Sequence, residues 1–416
     1  MAISTEIQRL KGAKASLKTS IENKGVTVPS STKLDGYAAL VDQISQGVTE
    51  YPENDVNFYD YDGFRVASYT LAEAKALTAL PTPPTHEGLT FQEWNWTLAD
   101  IQTYDRQYAD IGANYTTTDG KTHIFAVIEG DVSLVLNGKN GVVSIDWGDG
   151  SVTESYTYGN IGTNHLFTHT YTELGDKHIS VGFTQTNTDG VYSFANTSSH
   201  DSNGWYGLQV KEVRFGNFVF FSGTQNFYFQ FDTKYSLPNS AFINTFDLFN
   251  SYFKTIVIPR NTSLTFTKAQ ASIGEHLIFP KSIGNFGNNA YTFYLTNLSG
   301  RLIIPTFTNT SALNNNTFAT LVTAIVGLPS CTSFASDGNQ INLANLYYID
   351  ISQGWTPNVS MNLNTSQNWS AGNMVKFFNK LGTTSSAITL TFGSTNLNKL
   401  TADQKAIATN KGYTLA

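Results

Sequence analysis

An apolar strand that ends in proline recurs through the second half of this 416-residue chain, and this repeat constrains the fold more than any other feature. The four copies are Thr255–Pro259, Glu275–Pro280, Gly300–Pro305 and Ala324–Pro329, and their prolines are 21, 25 and 24 residues apart. A period of about 23 residues is typical of a solenoid, whose units bury their apolar faces by stacking. We therefore expect one short strand and one irregular return in each unit.

The segments at either end of this array fit the same pattern. Lys211–Phe215 and Leu346–Ile351 are further apolar strands, and Asn373–Leu381 predicts a helix. A last helix begins at Thr401, because Thr401 and Gln404 form a capping box. We assign residues 205–416 to a solenoid with a C-terminal helical cap, since an array needs a cap over its final layer.

Two β-rich segments precede the array. Residues 116–200 contain several alternating apolar runs and a tight Trp147–Gly148–Asp149–Gly150–Ser151 turn. Asp149 is expected to accept hydrogen bonds from backbone amides across that turn, with Trp147 and Tyr171 in the core. Residues 51–115 contain a strand–turn–strand signal at Asp62–Gly63 and a tryptophan-rich cluster, which predict a small aromatic-rich linker domain of helices and strands.

The first 48 residues predict a helical anchor. Apolar residues recur at steps of four and three, with one lysine in a core position, and we call this set the heptad seam: Ile3, Ile7, Leu10, Lys14, Leu17 and Ile21. Such a seam is typical of a coiled coil, and a polar residue within it specifies register and oligomer number. A second helix is predicted over residues 33–46. The alternative is an amphipathic helix packed on its own chain.

Composition excludes several classes of protein. Charged residues make up 14% of the chain, the net charge is −7 and lysine or arginine blocks are absent, which argues against nucleic-acid binding. The sequence lacks an apolar run of about 18 residues, so we expect no membrane span. We also expect no cleavable signal peptide. The single Cys331 excludes an internal disulfide and is expected to be a small buried hydrophobe.

Motifs for catalysis are missing from the sequence, and we predict a protein that is not an enzyme and needs no cofactor. His165 and His169 are four residues apart but are expected in turn or surface roles rather than at zinc. The acidic pairs Asp60/Asp62 and Asp146/Asp149 flank glycines, and turn chemistry accounts for them. Calcium at Asp146 and Asp149 is the alternative.

Aromatic side chains are the remaining candidates for binding. Trp205, Tyr206 and Trp355 in the repeat region are candidates for stacking on sugar rings, because aromatic faces pack on apolar C–H surfaces. The alternative is that these rings fill the core of the repeats.

Three resemblances support a common interpretation. Asp146–Ser151 followed by His169–Val181 resembles a PKD-type immunoglobulin-like sandwich, a family of adhesion or spacer modules. The apolar-x-apolar-Pro phrase resembles BspA-like leucine-rich repeats of surface adhesins and phage appendages. The leader, with Ile7–Lys14, Lys24–Pro29, Phe58–Gly63 and Pro84–Trp96, is similar to virion-attachment modules of tailed-phage fibres.

These resemblances imply a mainly β, multidomain structural protein of a phage virion, a head or tail fibre on the particle exterior that is assembled in the host bacterial cytoplasm. Its N-terminus would bind other virion proteins as a homotrimer, and its repeats would adhere to a host-surface or mucosal glycan or to a host protein. A bacterial surface adhesin and a tailspike-type polysaccharide depolymerase are the alternatives.

Overall fold

The chain forms two compact units, Met1–Pro52 and Glu53–Ala416. The computed structural model describes residues 3–22, 28–29, 31–33, 36–37, 56–194, 205–206, 209–219, 221–225, 233–239, 242–249, 252–260, 265–286, 293–295, 299–307, 321–327, 345–357, 360–364 and 366–416. The predicted helix over 33–46 lies mostly outside these residues, and Cys331 lies wholly outside them. Within the described residues, no helix is long and apolar enough to cross a bilayer.

Helices are a minor part of the structure. Their bounds are α1 (Ile3–Glu22), α2 (Leu71–Ala76), α3 (Leu98–Gln102), α4 (Ala371–Lys380), α5 (Ser394–Leu397) and α6 (Ala402–Thr409). Capping boxes begin α2, α3 and α6 at Thr70, Thr97 and Thr401. In each, the threonine hydroxyl accepts from the third helical amide and an acidic or amide side chain returns to the cap, so two exposed donors are satisfied.

Strands make up 45% of the chain against 17% for helices, which confirms the prediction of a mainly β protein. Residues 56–206 contain β1 (Val56–Tyr59), β2 (Arg65–Tyr69), β3 (Leu89–Trp94), β4 (Ala109–Thr117), β5 (Thr122–Lys139), β6 (Gly141–Asp146), β7 (Glu154–Tyr158), β8 (Thr163–Gln185), β9 (Val191–Phe194) and β10 (Trp205–Tyr206). Residues 209–286 contain β11 (Gln209–Arg214), β12 (Phe221–Gln225), β13 (Lys234–Ser236), β14 (Phe242–Phe249), β15 (Tyr252–Val257), β16 (Thr265–Ile278), β17 (Ser282–Ile283) and β18 (Asn285–Phe286). The remainder contains β19 (Phe293–Leu295), β20 (Ser299–Ile303), β21 (Thr306–Phe307), β22 (Leu321–Val326), β23 (Tyr348–Asp350), β24 (Met361–Asn362), β25 (Ile388–Thr391) and β26 (Tyr413–Leu415).

The first sheet has the order β2-β1-β4-β3. Its hairpin turns at the predicted Asp62–Gly63, where Gly63 has a φ of 87° and its amide donates to the Asp60 carbonyl at 3.0 Å. A positive φ favours glycine because it lacks a Cβ. Phe58, Trp94 and other apolar side chains form a separate core under this sheet.

An antiparallel group follows in the order β5-β8-β6-β7. Strands β5 and β8 are long and pair from Thr122 opposite Val181 to Gly138 opposite Thr163, with a bulge between Ile128 and Gly130. Alternate residues of β5 are buried, as expected for a strand with one face on a core.

Parallel strands continue from this group. The order β5-β11-β13-β15-β16-β14-β12 continues the same sheet, and β20-β22-β23 is another, with parallel pairing from β11 onwards. The predicted proline phrases all place apolar residues in the same core, among them Ile256, Leu277, Leu302 and Ile325. The sequence prediction omitted one further unit, in which Leu237–Pro238 follows β13 and the proline stands 21 residues before Pro259.

A single hydrophobic core runs from Ile124 in β5 to Tyr413 in β26. The predicted boundary between residues 200 and 205 is therefore not a boundary of the core. The predicted domains, residues 1–48, 51–115, 116–200 and 205–416, remain predictions. Hydrogen bonds join residues of the predicted 51–115 and 205–416 domains, which both belong to the second unit.

The segment from Asn95 to Asn114 lies along the ends of the parallel strands and donates to their last carbonyls. In four of the units, the backbone carbonyl of the residue before the proline accepts a hydrogen bond from a side chain of this segment. Asn114 Nδ2 donates to Leu237 at 3.2 Å, Asn95 Nδ2 to Ile258 at 3.0 Å, Trp96 Nε1 to Phe279 at 2.9 Å and Arg106 Nη1 to Ile304 at 2.8 Å. We call this set the proline-carbonyl clamp. Proline has no N–H with which to extend the ladder, so donors from outside the stack satisfy the buried strand ends.

Close packing fixes this arrangement at Gly112. A Cβ there would lie 2.4 and 2.5 Å from the two methyl carbons of Val257, nearer than real contacts allow. The Gly112 amide also donates to Asn95 Oδ1 at 2.8 Å, so the glycine and the asparagine form one buried contact with the stack.

We expect Asn95→Ala to lower the free energy of unfolding by about 3 kcal/mol, because it leaves the Ile258 carbonyl and the Gly112 amide buried without partners. Denaturant unfolding followed by circular dichroism measures the change. Asn160→Ala, at an exposed turn position between β7 and β8, is the matched control and should stay within about 0.5 kcal/mol of the parent. Equal stability of the two variants would show that the clamp contributes nothing.

Candidate functional site

The described apolar side chains of the heptad seam are exposed on α1. Ile7, Leu10 and Leu17 are 47%, 48% and 38% exposed, although they are the apolar residues of the helix. The Lys14 ammonium lies 5.8 Å from the centre of the Tyr37 ring, a cation–π contact within the first unit. The side chains of Ile3 and Ile21 lie outside the described part of the structure. A helix that exposes its apolar stripe is typical of a surface that binds a partner.

Among the predicted glycan-stacking residues, the structure describes the side chain of Trp355. Trp355 is 8% exposed and belongs to the main core, as the alternative interpretation expected. Trp205 and Tyr206 form β10 and pair with Leu134 and Ser133 of β5, but their side chains lie outside the described residues.

The turn at Asp146–Ser151 is held by its own side chains. Asp146 Oδ1 accepts from the Gly148 amide at 2.9 Å, and Asp149 Oδ1 accepts from the Ser151 amide at 3.0 Å. Hydrogen bonds from Ser151 and His169 hold the pKa of Asp149 well below its usual range. Both carboxylates therefore serve the turn, as expected from their spacing.

The two halves of the turn motif contact each other directly. His169 Nε2 lies 2.7 Å from Asp149 Oδ2, and its ring stacks on Trp147 at 5.0 Å. Tyr171 OH donates to the Trp147 carbonyl at 2.6 Å. His165, by contrast, stacks on Tyr156. Among the described residues, no three histidine, cysteine or acidic side chains are placed to hold a metal ion.

A histidine cluster lies on the outer face of β5 and β8, and the sequence analysis did not identify it. His178 Nε2 and His123 Nδ1 are 2.9 Å apart, Ser180 Oγ lies 3.1 Å from the same His123 nitrogen, and Asp119 Oδ1 lies 3.0 Å from His123 Nε2. Only antiparallel register brings these residues together, because His123 lies opposite Ser180. Alternation along β5 would have shown only that His123 faces outward.

Charged and aromatic side chains extend this cluster across the sheet. The Phe125 ring stacks on His178 at 4.5 Å, and the Arg214 guanidinium lies 5.1 Å from the centre of the Phe125 ring. Glu212 accepts from Arg214 Nε at 2.8 Å and from Tyr61 OH at 2.7 Å. The Tyr61–Glu212 hydrogen bond therefore links the first sheet to β11, and the Glu212–Arg214 ion pair lies within β11.

Desolvation, the neighbouring His123 and the Arg214 charge lower the pKa of His178. At 2.9 Å the facing nitrogens share one hydrogen-bonding proton, so protonating both imidazoles would set two N–H groups and two like charges against each other. Ser180, His123 and Asp119 are the residue types of a hydrolytic triad. However, the His123 nitrogen that would accept the serine proton is also engaged with His178.

An apolar groove lies between the Leu80–Pro83 connector and β3. Its volume is 570 Å³, and its lining includes Phe91, Trp94, Trp96 and Leu98. Both indole N–H groups are already used, by the Pro81 and Phe279 carbonyls at 2.9 Å each, so the rings are fixed in place.

One charged pair stands at the rim of this groove. Glu93 and Arg260 form an ion pair, and their side chains are 20% and 40% exposed. The tryptophans are visible in the sequence but the groove is not. Arg260 follows β15 and lies beside β3 only once the first sheet packs against the parallel strands.

Comparison with protein-family models, with curated proteins and with solved structures gives no match for this chain.

We expect acid to destabilise the protein partly through His178. Because its folded-state pKa lies below the unfolded value of about 6.5, its contribution is complete above that pH and is lost as the pH falls further. The melting temperature of His178→Gln should therefore fall less between pH 7.5 and pH 5 than that of the parent. His165→Gln removes a histidine of the same strand outside the cluster and should retain the parental pH dependence. A parental pH dependence in His178→Gln would contradict this assignment.

Proposed function

We propose that this chain is a structural protein of a phage virion, a head or tail fibre anchored by its N-terminus and adhesive through its β body. The observation that carries this proposal is the exposed heptad seam. Three apolar side chains along one 20-residue helix face solvent in the single chain, and association in a trimer would bury them.

The β body supports the adhesive part of the proposal. We propose that residues 116–200 are an immunoglobulin-like sandwich of the PKD type. The Asp149–His169 pair and the Tyr171–Trp147 bond support this, because they join the two halves of the motif that carries the resemblance.

For residues 205–416 we propose a solenoid similar to leucine-rich repeats. Its support is the parallel pairing of successive strands, about one for each proline phrase, over one continuous core. Stacked units expose a long lateral surface, which is the form that repeat proteins use to bind extended partners.

The polar surface chemistry agrees with a non-enzymatic role. The four acidic side chains considered for catalysis, Asp60, Asp62, Asp146 and Asp149, each accept a hydrogen bond from a nearby backbone amide, and Asp60 is also paired with His86. Such carboxylates stabilise local structure, and the proposal needs them for nothing else.

We expect the 416-residue chain to sediment as a homotrimer, with three times the chain mass of 45.6 kDa. Leu10→Glu places a charge in the seam and should shift the mass toward one chain, because a buried unpaired carboxylate is costly. Sedimentation equilibrium or light scattering measures the mass. Ala15→Glu adds the same charge at an exposed position outside the seam and should remain a trimer.

Antibody labelling of intact particles tests the location. We expect label on the particle exterior for the parent and for Ala15→Glu, and loss of label for a chain lacking residues 1–48. A monomeric parent, or a truncated chain that still joins particles, would contradict the anchoring role.

A further inference from the structure

We propose that the groove beside β3 binds an uncharged hexose unit of a glycan. This inference rests on the proposed adhesive function and gives it a specific site and ligand class. It also moves the predicted sugar-binding surface from the repeats to the first sheet, where aromatic residues meet a charged pair.

The groove has the size and lining of a small-ligand site. Its 570 Å³ lies within the range of about 300–1,000 Å³ that ligand sites occupy. Most of its walls are apolar, with a few polar groups at the rim, and this combination is typical of such sites. A single sugar ring fits in this volume with room for the linkages on either side.

The apolar walls suit the C–H faces of a pyranose. Phe91 is half-buried and makes edge-to-face contacts with Trp94 at 5.9 Å and with Tyr115 at 5.6 Å. Leu98 and Pro81 complete the wall. Trp94 and Trp96 are 3% and 2% exposed and support this wall from behind. Because their N–H groups are bonded to backbone carbonyls, the wall is held before a ligand arrives, which lowers the entropy cost of binding.

The rim suits hydroxyl groups and disfavours a charged ligand. Glu93 offers acceptors and Arg260 offers donors, and a pair of neighbouring sugar hydroxyls provides both. Since the two charges neutralise each other, the rim presents no net charge to attract a carboxylate or sulfate. A uronic or sialic acid therefore gains no net attraction here that would offset the cost of desolvating its anion.

Weak binding at one groove is compatible with adhesion. In the proposed trimer, three grooves would meet one polymeric glycan, and the second and third contacts become intramolecular. Millimolar affinity for a single ring is therefore enough for attachment to a surface that repeats the same sugar.

Saturation-transfer difference NMR on the full-length chain tests the inference. The probes are methyl β-galactoside, methyl α-mannoside and methyl N-acetyl-β-glucosaminide. Methyl glucuronide represents the anionic sugars and a proline-rich decapeptide represents the other occupant that fits an apolar groove. We expect transfer to the C–H protons of at least one neutral glycoside, and little transfer to the glucuronide or the peptide.

Two groove variants and one control locate the binding. Phe91→Ala removes a wall and Glu93→Gln removes the rim carboxylate with little change in volume, and each should lower the transfer about fivefold. Phe64→Ala removes an aromatic ring that is 65% exposed elsewhere on the first sheet and should leave it unchanged. Circular dichroism checks that each variant is folded. If Phe91→Ala does not fold, Glu93→Gln alone provides the test.

The outcomes separate this inference from the proposed function. No transfer to any neutral glycoside, stronger binding of the peptide or the glucuronide, or equal transfer in Glu93→Gln and the parent would overturn the sugar site. A trimeric, particle-bound protein with any of these results would leave the fibre proposal standing. If instead the protein is a monomer absent from particles but still shows groove-dependent transfer, the fibre proposal is overturned and the sugar site is supported.

Discussion

The proline-carbonyl clamp is the interaction on which the rest of the second unit depends. A parallel stack whose strands end in proline has buried carbonyls at its edge that cannot be paired within the ladder. Asn114, Asn95, Trp96 and Arg106 supply the missing donors. The first sheet thus covers the ends of the parallel strands, and the same four bonds help to hold it there.

Both surface features described above follow from this docking. The groove exists because Arg260, at the end of β15, meets Glu93 of β3 where the two sheets touch. The histidine cluster lies where β5 and β8 meet β11, and Tyr61 from the first hairpin reaches Glu212 there. Candidate sites at a junction between layers are common, since clefts form where separately folded surfaces meet.

Much of the local structure was predictable. The Asp62–Gly63 hairpin, the Thr401 cap and the turn at Asp146–Ser151 each depend on residues within a few positions, so their chemistry is visible in the chain. The aromatic candidates were harder, because the same ring serves equally well in a core or in a binding surface. Trp355 illustrates this, since it is buried in the stack.

The sequence by itself determined the period of the repeats, the prolines that end their strands, the tight turns and the apolar seam of the first helix. These features depend on spacing along the chain, which the sequence displays directly. Only the tertiary structure decided which donors meet the carbonyls before those prolines, because Asn95 and Ile258 are 163 residues apart. The same holds for the pairing of His123 with His178 and of Glu93 with Arg260. Strand register and sheet docking set these contacts, and a one-residue shift in register would turn each strand's side chains to the opposite face.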